Sequence, residues 1–242
     1  MLEAAEIAPG WEPGFTFVPY GWLAGFEGEI GSASADIDPG GDIELPERVD
    51  VEVDGELEEI GFMFYGEWRG ERAFVFFDSV WANVTQDAEI GLGLLPSSVA
   101  RAGIDGNVYQ LAAGYRLNEW PSQTFSLYGG LRYYDLEATA HFEGGLLPQP
   151  VSVTSTGSWT DGVVGARWEY RLAEKWRGHV RADVGFGEED MSWQVFASVA
   201  WRFNEWGALA GGYRWLAIDY EAADYKADLA LQGPAVGIAV RF

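Results

Sequence analysis

ADLALQGPAVGIAVRF, residues Ala227 to Phe242, decides the fold. Within it Val236, Ile238, Val240 and Phe242 fall on one parity, and Ala235, Gly237, Ala239 and Arg241 on the other. Successive side chains of an extended chain point to opposite faces. This stretch therefore reads as a strand with one bulky apolar face and one small or charged face. A strand that finishes on an aromatic ring suits a membrane barrel, where such rings form a girdle at the bilayer boundary. The reading stands only if the same pattern recurs upstream.

Composition narrows the classes. The chain has 242 residues, which one barrel can hold as a single unit. No run approaches the 18 or so consecutive apolar residues of a transmembrane helix. Aromatics make up 15%, with twelve Trp, and 32 Gly suit strands and turns better than helices. Without cysteine there is no disulfide or thiolate metal site, and the redox compartment is not legible. A net charge of -23 leaves no basic stripe for phosphates, which argues against nucleic acid. The start, MLEAAEIAPGW, has neither a basic n-region nor an apolar h-region, so any secretory signal is expected to have been removed or replaced.

Ten alternating segments follow one another. In Phe15 to Ile30, Val18, Tyr20, Trp22, Phe26 and Ile30 share the apolar parity against Leu23, Glu27 and Glu29. Ile60 to Trp68 sets Phe62, Phe64 and Trp68 against Met63, Tyr65 and Glu67. Ala73 to Thr85 alternates more weakly, and Val108 to Leu117 more cleanly. Thr124 to Phe142 opposes Phe125, Leu127, Leu131 and Tyr133 to Ser126, Tyr128, Gly130 and Arg132; its phase blurs after Tyr134, which predicts a bulge. Trp159 to Leu172, Trp176 to Phe186 and Met191 to Phe203 come next. Ala208 to Glu221, with a phase slip near Trp215, and the C-terminal stretch complete the set.

Short connections follow the even segments and longer ones (31–59, 86–106, 143–151) mostly follow the odd ones. An even strand number with short turns on one rim and long loops on the other is the layout of a bacterial outer-membrane barrel. The phrases RLNEW, RLAEKW and RFNEW at Arg116, Arg171 and Arg202 repeat at the short-turn rim. Trp68, Trp120, Trp176, Phe203, Trp206 and Phe242 are the expected aromatic girdle there.

A soluble lipocalin-type barrel is the competing fold, and the two differ in which face is inside. Ten of the thirteen Arg fall on the polar parity beside many Gly and Ala, which suits a narrow lumen, while the ring-rich parity suits lipid. Inside, each Arg needs a carboxylate. The expected network contains Glu27, Glu67, Arg69, Asp78, Arg116, Arg132 and Arg167. It continues through Glu169, Arg171, His179, Arg181 and Asp183 to Arg202, Arg214 and Arg241. These charges either tie opposite walls together or line a water channel, and Arg132, Arg167 and Arg181 would line either.

From Asp36 to Glu59 eleven acidic residues stand against one Arg. Asp36, Asp38, Asp42, Glu44 and Glu47 match positions 1, 3, 7, 9 and 12 of a calcium-binding loop, but Gly40 occupies position 5 and no helix flanks the run. Two readings stay open, a Ca²⁺ site and a solvated acidic loop that holds cations loosely beside lipopolysaccharide. No other cofactor is expected. Catalysis is not expected either: His141 with Asp135 or Glu137 imitates a catalytic set, but no Ser is placed beside it.

Several phrases carry a resemblance: WEPGFTFVPYGWLAGFEGEIG (Trp11 to Gly31), YGGLRYYDLEA (Tyr128 to Ala138), GGYRWLAIDYE (Gly211 to Glu221) and GPAVGIAVRF (Gly233 to Phe242). They resemble a group of small proteobacterial outer-membrane barrels, loosely the OmpA-like and OmpW-like barrels. In such proteins the apolar strand with a terminal Phe is the assembly signal. The resemblance implies location and architecture and carries no catalytic motif. Its best-known members have eight strands, where ten are counted here.

The expectation is an all-β, up-and-down antiparallel transmembrane β-barrel of about ten strands (alternatively eight) in the bacterial outer membrane. Residues 1–14 would be a periplasmic segment, 15–242 the barrel and 31–59 an acidic extracellular loop. Two functions follow: porin-like passage of small solutes or small hydrophobic molecules, or a plugged barrel that anchors its acidic loops to a protein partner or lipopolysaccharide. Lipid and lipopolysaccharide are the expected surroundings, and the oligomeric state is not legible.

Overall fold

The computed structural model describes residues 13–32, 36–37, 49–56, 61–90, 98–118, 120, 122–143, 151–187, 190–221 and 225–242. Thirteen strand runs occur among them: β1 (Gly14–Trp22), β2 (Gly25–Ser32), β3 (Asp36–Ile37), β4 (Val49–Glu56) and β5 (Gly61–Arg69). They continue with β6 (Ala73–Ile90), β7 (Ser98–Arg116), β8 (Gln123–Glu143) and β9 (Val151–Arg171). The last four are β10 (Trp176–Phe186), β11 (Asp190–Arg202), β12 (Gly207–Glu221) and β13 (Tyr225–Arg241).

These runs make a closed antiparallel barrel of ten walls. Each run from β6 to β13 is one wall, paired to the next in sequence order. The first wall is double: β1 pairs the lower half of β13, from Thr16 opposite Arg241 to Trp22 opposite Ala235. Its continuation β2 pairs the upper half, from Gly25 opposite Gln232 to Ser32 opposite Tyr225. The second wall is double in the same way, with β5 against β1 and β4 against β2. The short β3 adds to β9.

The strand count of ten, the antiparallel order and the short turns at one rim agree with the sequence reading. Where the observed fold differs, one cause recurs. A strand needs about 9–11 residues to cross a bilayer, yet β8 and β9 each have 21. Their upper halves extend beyond that length. The outer face of β8 carries Phe125, Leu127, Leu131 and Tyr133, then turns to exposed Asp135 and Glu137. Its inner face does the reverse, passing from Ser126 and Arg132 to buried Tyr134 and Leu136.

The blur after Tyr134 is therefore no bulge, and the register of β7 against β8 runs unbroken from Val99 opposite Glu143 to Arg116 opposite Ser126. The slip near Trp215 is likewise absent. The register of β12 against β13 is continuous, while the inner face changes from Arg214 to Leu216 and Ile218. Alternation persists, and the outer face turns from apolar to charged, with Asp219 and Glu221 exposed on β12.

Two further expectations are corrected. In β1 the inward parity is the even one: Trp22 is fully buried and Tyr20 lies in the lumen, whereas Phe15 and Leu23 are exposed. Both inward rings have a polar handle, Trp22 donating its indole N–H to the Gly233 carbonyl (3.1 Å) and Tyr20 its hydroxyl to Asp78 (2.7 Å). In addition, Val49–Glu56, VDVEVDGE, is a strand within the expected loop 31–59, its own alternation masked by the surrounding acids.

Candidate functional site

The lumen is filled at its waist by a layered polar network, built from inward positions on nine of the ten walls. In the lowest layer Glu67 of β5 accepts from Arg167 of β9, from Arg69 and from the Tyr65 hydroxyl. Arg69 also reaches Glu169 at 2.7 Å. The Arg167 guanidinium donates to the Tyr65 oxygen at 2.8 Å and lies 4.3 Å over the Phe74 ring. Phe74 and Phe76 are thus inward rings that carry a cation on their faces.

The middle layer centres on Asp78 of β6. Arg181 of β10 donates to it at 2.5 Å and Arg214 of β12 lies at 3.5 Å. Arg214 further donates to Tyr20 (2.9 Å) and Gln194 (2.7 Å), and it sits 5.2 Å over the ring of Trp22.

Asp183 of β10 centres the upper layer. It accepts from Arg132 of β8, from the Tyr128 hydroxyl at 2.6 Å and from the Gln194 amide at 2.8 Å. Arg132 also donates to Gln110 of β7 at 3.1 Å, and the Ser192 hydroxyl donates to Asp161 of β9 at 2.5 Å. Neither Arg132 nor Asp183 has any exposed side-chain surface. The three layers bring together five arginines (69, 132, 167, 181, 214) and five carboxylates (67, 78, 161, 169, 183), so formal charge inside cancels.

Above the network the lumen is apolar. Trp22, Val80, Val108, Leu136, Leu216 and Leu229 pack there. Trp159 is sandwiched between Tyr134 and Tyr220, with ring centroids 4.8 and 4.3 Å away and nearly parallel planes. The sequence reading, which assigned large apolar side chains to lipid, gave no sign of this second filling.

Below the network two adjoining pits open toward the short-turn rim. The inner pit, of about 200 Å³, lies under Tyr20, Asp78, Arg181 and Arg214. The outer one, of about 220 Å³, is walled by Arg171, Arg177, Arg202, Glu205 and Arg241. Both share Thr16, Arg69, Glu169, His179 and Ala239.

Of the residues expected in the ion network, Glu67, Arg69, Asp78, Arg132, Arg167, Glu169, Arg181, Asp183 and Arg214 meet one another. Arg171, Arg202, Arg241 and His179 line the pits, with His179 edge-on to Phe196 at 6.0 Å. Arg116 is half-buried at the same rim. Glu27 does not belong to the network: it is exposed on the outer face, opposite Asp54 and Ala230 in register, because the parity of the first wall is opposite to that expected. Sequence reasoning left out Tyr20, Tyr65, Gln110, Tyr128, Asp161, Ser192 and Gln194. Except for Tyr20, all of these stand on the parity that the sequence reading took as inward and carry a polar atom, a legible signal that a search for charges alone passes over.

The rings expected at the lower girdle, Trp68, Trp120, Trp176, Phe203, Trp206 and Phe242, are all exposed. A second ring set lies higher on the outer face, where the Trp81 indole donates to the Tyr109 hydroxyl at 2.7 Å and Tyr109 stacks on Tyr133. In the suggested calcium loop Asp38, Asp42, Glu44 and Glu47 lie outside the described residues, and of Asp36 only the backbone is described, pairing with Thr154. The His141 side chain also lies outside them, while Asp135 and Glu137 are exposed on the outer face of β8.

Comparison with protein-family models and with curated protein sequences gives no match. Solved structures do match. The outer membrane protease OmpT from Escherichia coli is 11% identical over 98% of this chain and all of that one, with a TM-score of 0.55. The β domain of the Bordetella autotransporter BrkA is 14% identical over 96% of this chain and all of that one, with a TM-score of 0.51. These likenesses are likenesses of fold.

Proposed function

We propose that this closed ten-stranded barrel sits in a bacterial outer membrane and works there shut, as an anchor that holds its long-loop end in place for a partner or for the lipopolysaccharide layer. The observation that carries this reading is the dry waist. Arg132, Arg167, Asp161 and Gln194 are at most 1% exposed at the centre of the lumen. Side chains lining a water-filled channel would be wet, and here the polar layers are capped by the stacked Tyr134, Trp159 and Tyr220. Strands that continue past the bilayer lift the loop end away from the lipid surface, which suits contact with large neighbours. OmpT is a protease, and the proposal carries no activity over from it.

Passage of small solutes is the second reading, favoured by the pits that enter the lumen from the short-turn rim. On this reading Arg214 and Trp22 swing aside to join the inner pit to the far end. Planar-bilayer recording on the folded chain separates the two. A silent membrane with protein demonstrably inserted supports the anchor, and steady single-channel steps overturn it in favour of passage.

A further inference from the structure

The short-turn rim carries a charge pattern that the network above does not use. Arg171 at the end of β9 and Arg177 near the start of β10 are register partners, directly opposite each other on the inner face. Like charges so placed repel. Arg202 of β11 lines the same pit, as does Arg241. The side chains of Arg171, Arg177 and Arg202 make no hydrogen bond or ion pair among the described residues, and of the two carboxylates that line the pit, Glu169 and Glu205, the first is engaged by Arg69 at 2.7 Å. In a chain of net charge -23, Arg171, Arg177, Arg202 and Arg241 against Glu205 give this concave mouth a local field of the opposite sign.

The pit they guard has two unlike walls. One is polar, with Arg69, Glu169 and His179. The other, from β1, β11, β12 and β13, is apolar and made of small residues, among them Val18, Ala210, Ala235 and Ala239 with Phe196 at the end. The two cavities, of about 200 and 220 Å³, adjoin through shared lining residues. Together they fall within the lower part of the range, about 300 Å³ and upward, of cavities that hold organic ligands.

We propose that this pit is a binding site, open to the periplasmic side, for a small organic anion. Its phosphate or carboxylate sits among Arg171, Arg177 and Arg202, and its short apolar body lies along Ala210 and Ala239 toward Phe196. Planar guanidinium forks suit both oxyanions, which they bind by paired charge-assisted hydrogen bonds. The arginine cluster lies in the outer pit, whereas Asp78, Arg181 and Arg214 of the waist line only the inner one.

Isothermal titration of the folded full chain in a non-ionic detergent tests it, with butyl phosphate as the probe and inorganic phosphate and butanol as comparators. One butyl phosphate should bind per barrel, more tightly than either comparator. Arg177→Gln with Arg202→Gln should weaken binding by about a hundredfold, since each lost charged hydrogen bond is worth roughly tenfold. Ala210→Leu, which fills the apolar wall, should leave inorganic phosphate unaffected and bring butyl phosphate down to its level. Both variants are first checked for the folded band on an unboiled gel. Absence of saturable heat with the wild-type chain overturns the proposal, as does wild-type affinity in the double arginine variant. A two-chain analogue, dibutyryl phosphatidylglycerol, forms the lipid arm. If it binds more tightly than butyl phosphate, the small-ligand assignment falls and the rim is a lipid headgroup site.

Discussion

Arg181 on β10 reaches across the barrel to Asp78 on β6, and the two side chains meet at 2.5 Å with 3% of each exposed. The same carboxylate lies 3.5 Å from Arg214 and accepts from Tyr20. Removing it leaves two buried cations around a vacancy. Asp78→Ala should therefore destabilise the barrel by about 3 to 5 kcal/mol, the cost of breaking a buried pair from one side. Urea unfolding in detergent measures this. Glu169→Ala is the contrast: its side chain is 18% exposed and its partner Arg69 keeps Glu67, so the loss should be about 1 kcal/mol.

Room for the upper layer comes from glycines. A Cβ on Gly185 would stand 2.3 Å from the Ser192 oxygen and 2.7 Å from an Asp161 oxygen, and one on Gly165 would stand 2.5 Å from the Tyr128 ring. Gly185→Ala and Gly165→Ala should each cost about 1 to 3 kcal/mol through overpacking. Gly211→Ala, where a Cβ meets nothing within 4 Å, is the control and should unfold at the wild-type urea concentration.

The change of solvent along each wall can be mapped by arginine scanning of the outer face. Leu127, exposed on the lower half of β8, should lose about 2 to 4 kcal/mol on substitution by Arg, as expected near the bilayer midplane. Thr156, exposed on the upper half of β9, should change by no more than about 0.5 kcal/mol on the same substitution. Equal losses at the two positions would place both in lipid.

The upper lumen behaves as the core of a water-soluble barrel. Trp159→Ala should cost about 3 to 5 kcal/mol, as for a large core ring, and should alter the near-ultraviolet circular dichroism of the stacked trio. Trp176, an exposed ring at the lower rim, should lose much less when changed to Ala. Comparing the two urea midpoints gives the answer directly.

Legibility in the sequence followed the environment of each segment. On β8 the lower half, from Phe125 to Tyr133, reads correctly because lipid outside and polar groups inside give strong contrast. Past Tyr134 the contrast inverts, and a single rule for the whole strand mistakes Asp135 and Leu136 for a defect. In β1 the rule fails for another reason: Tyr20 and Trp22 are large rings that also donate hydrogen bonds, so their size points outward while their N–H and O–H groups are satisfied inward. The network was half legible. Parity located its arginines and most carboxylates, but Gln110, Tyr128 and Gln194 carry no charge, and their part in it depends on distances across the lumen that no local pattern records.

The waist also bears on how the barrel comes together. Arg167 and Glu67 are 100 residues apart in the chain and Arg181 and Asp78 are 103 apart. Glu67 and Arg69 already pair within β5, but the Arg167–Glu67 and Arg181–Asp78 pairs join walls that are not neighbours and form only when the barrel closes. A half-built sheet would show bare guanidinium groups to any hydrocarbon it touched, so insertion favours a late, concerted closing in which the walls become compatible with the bilayer only as a ring.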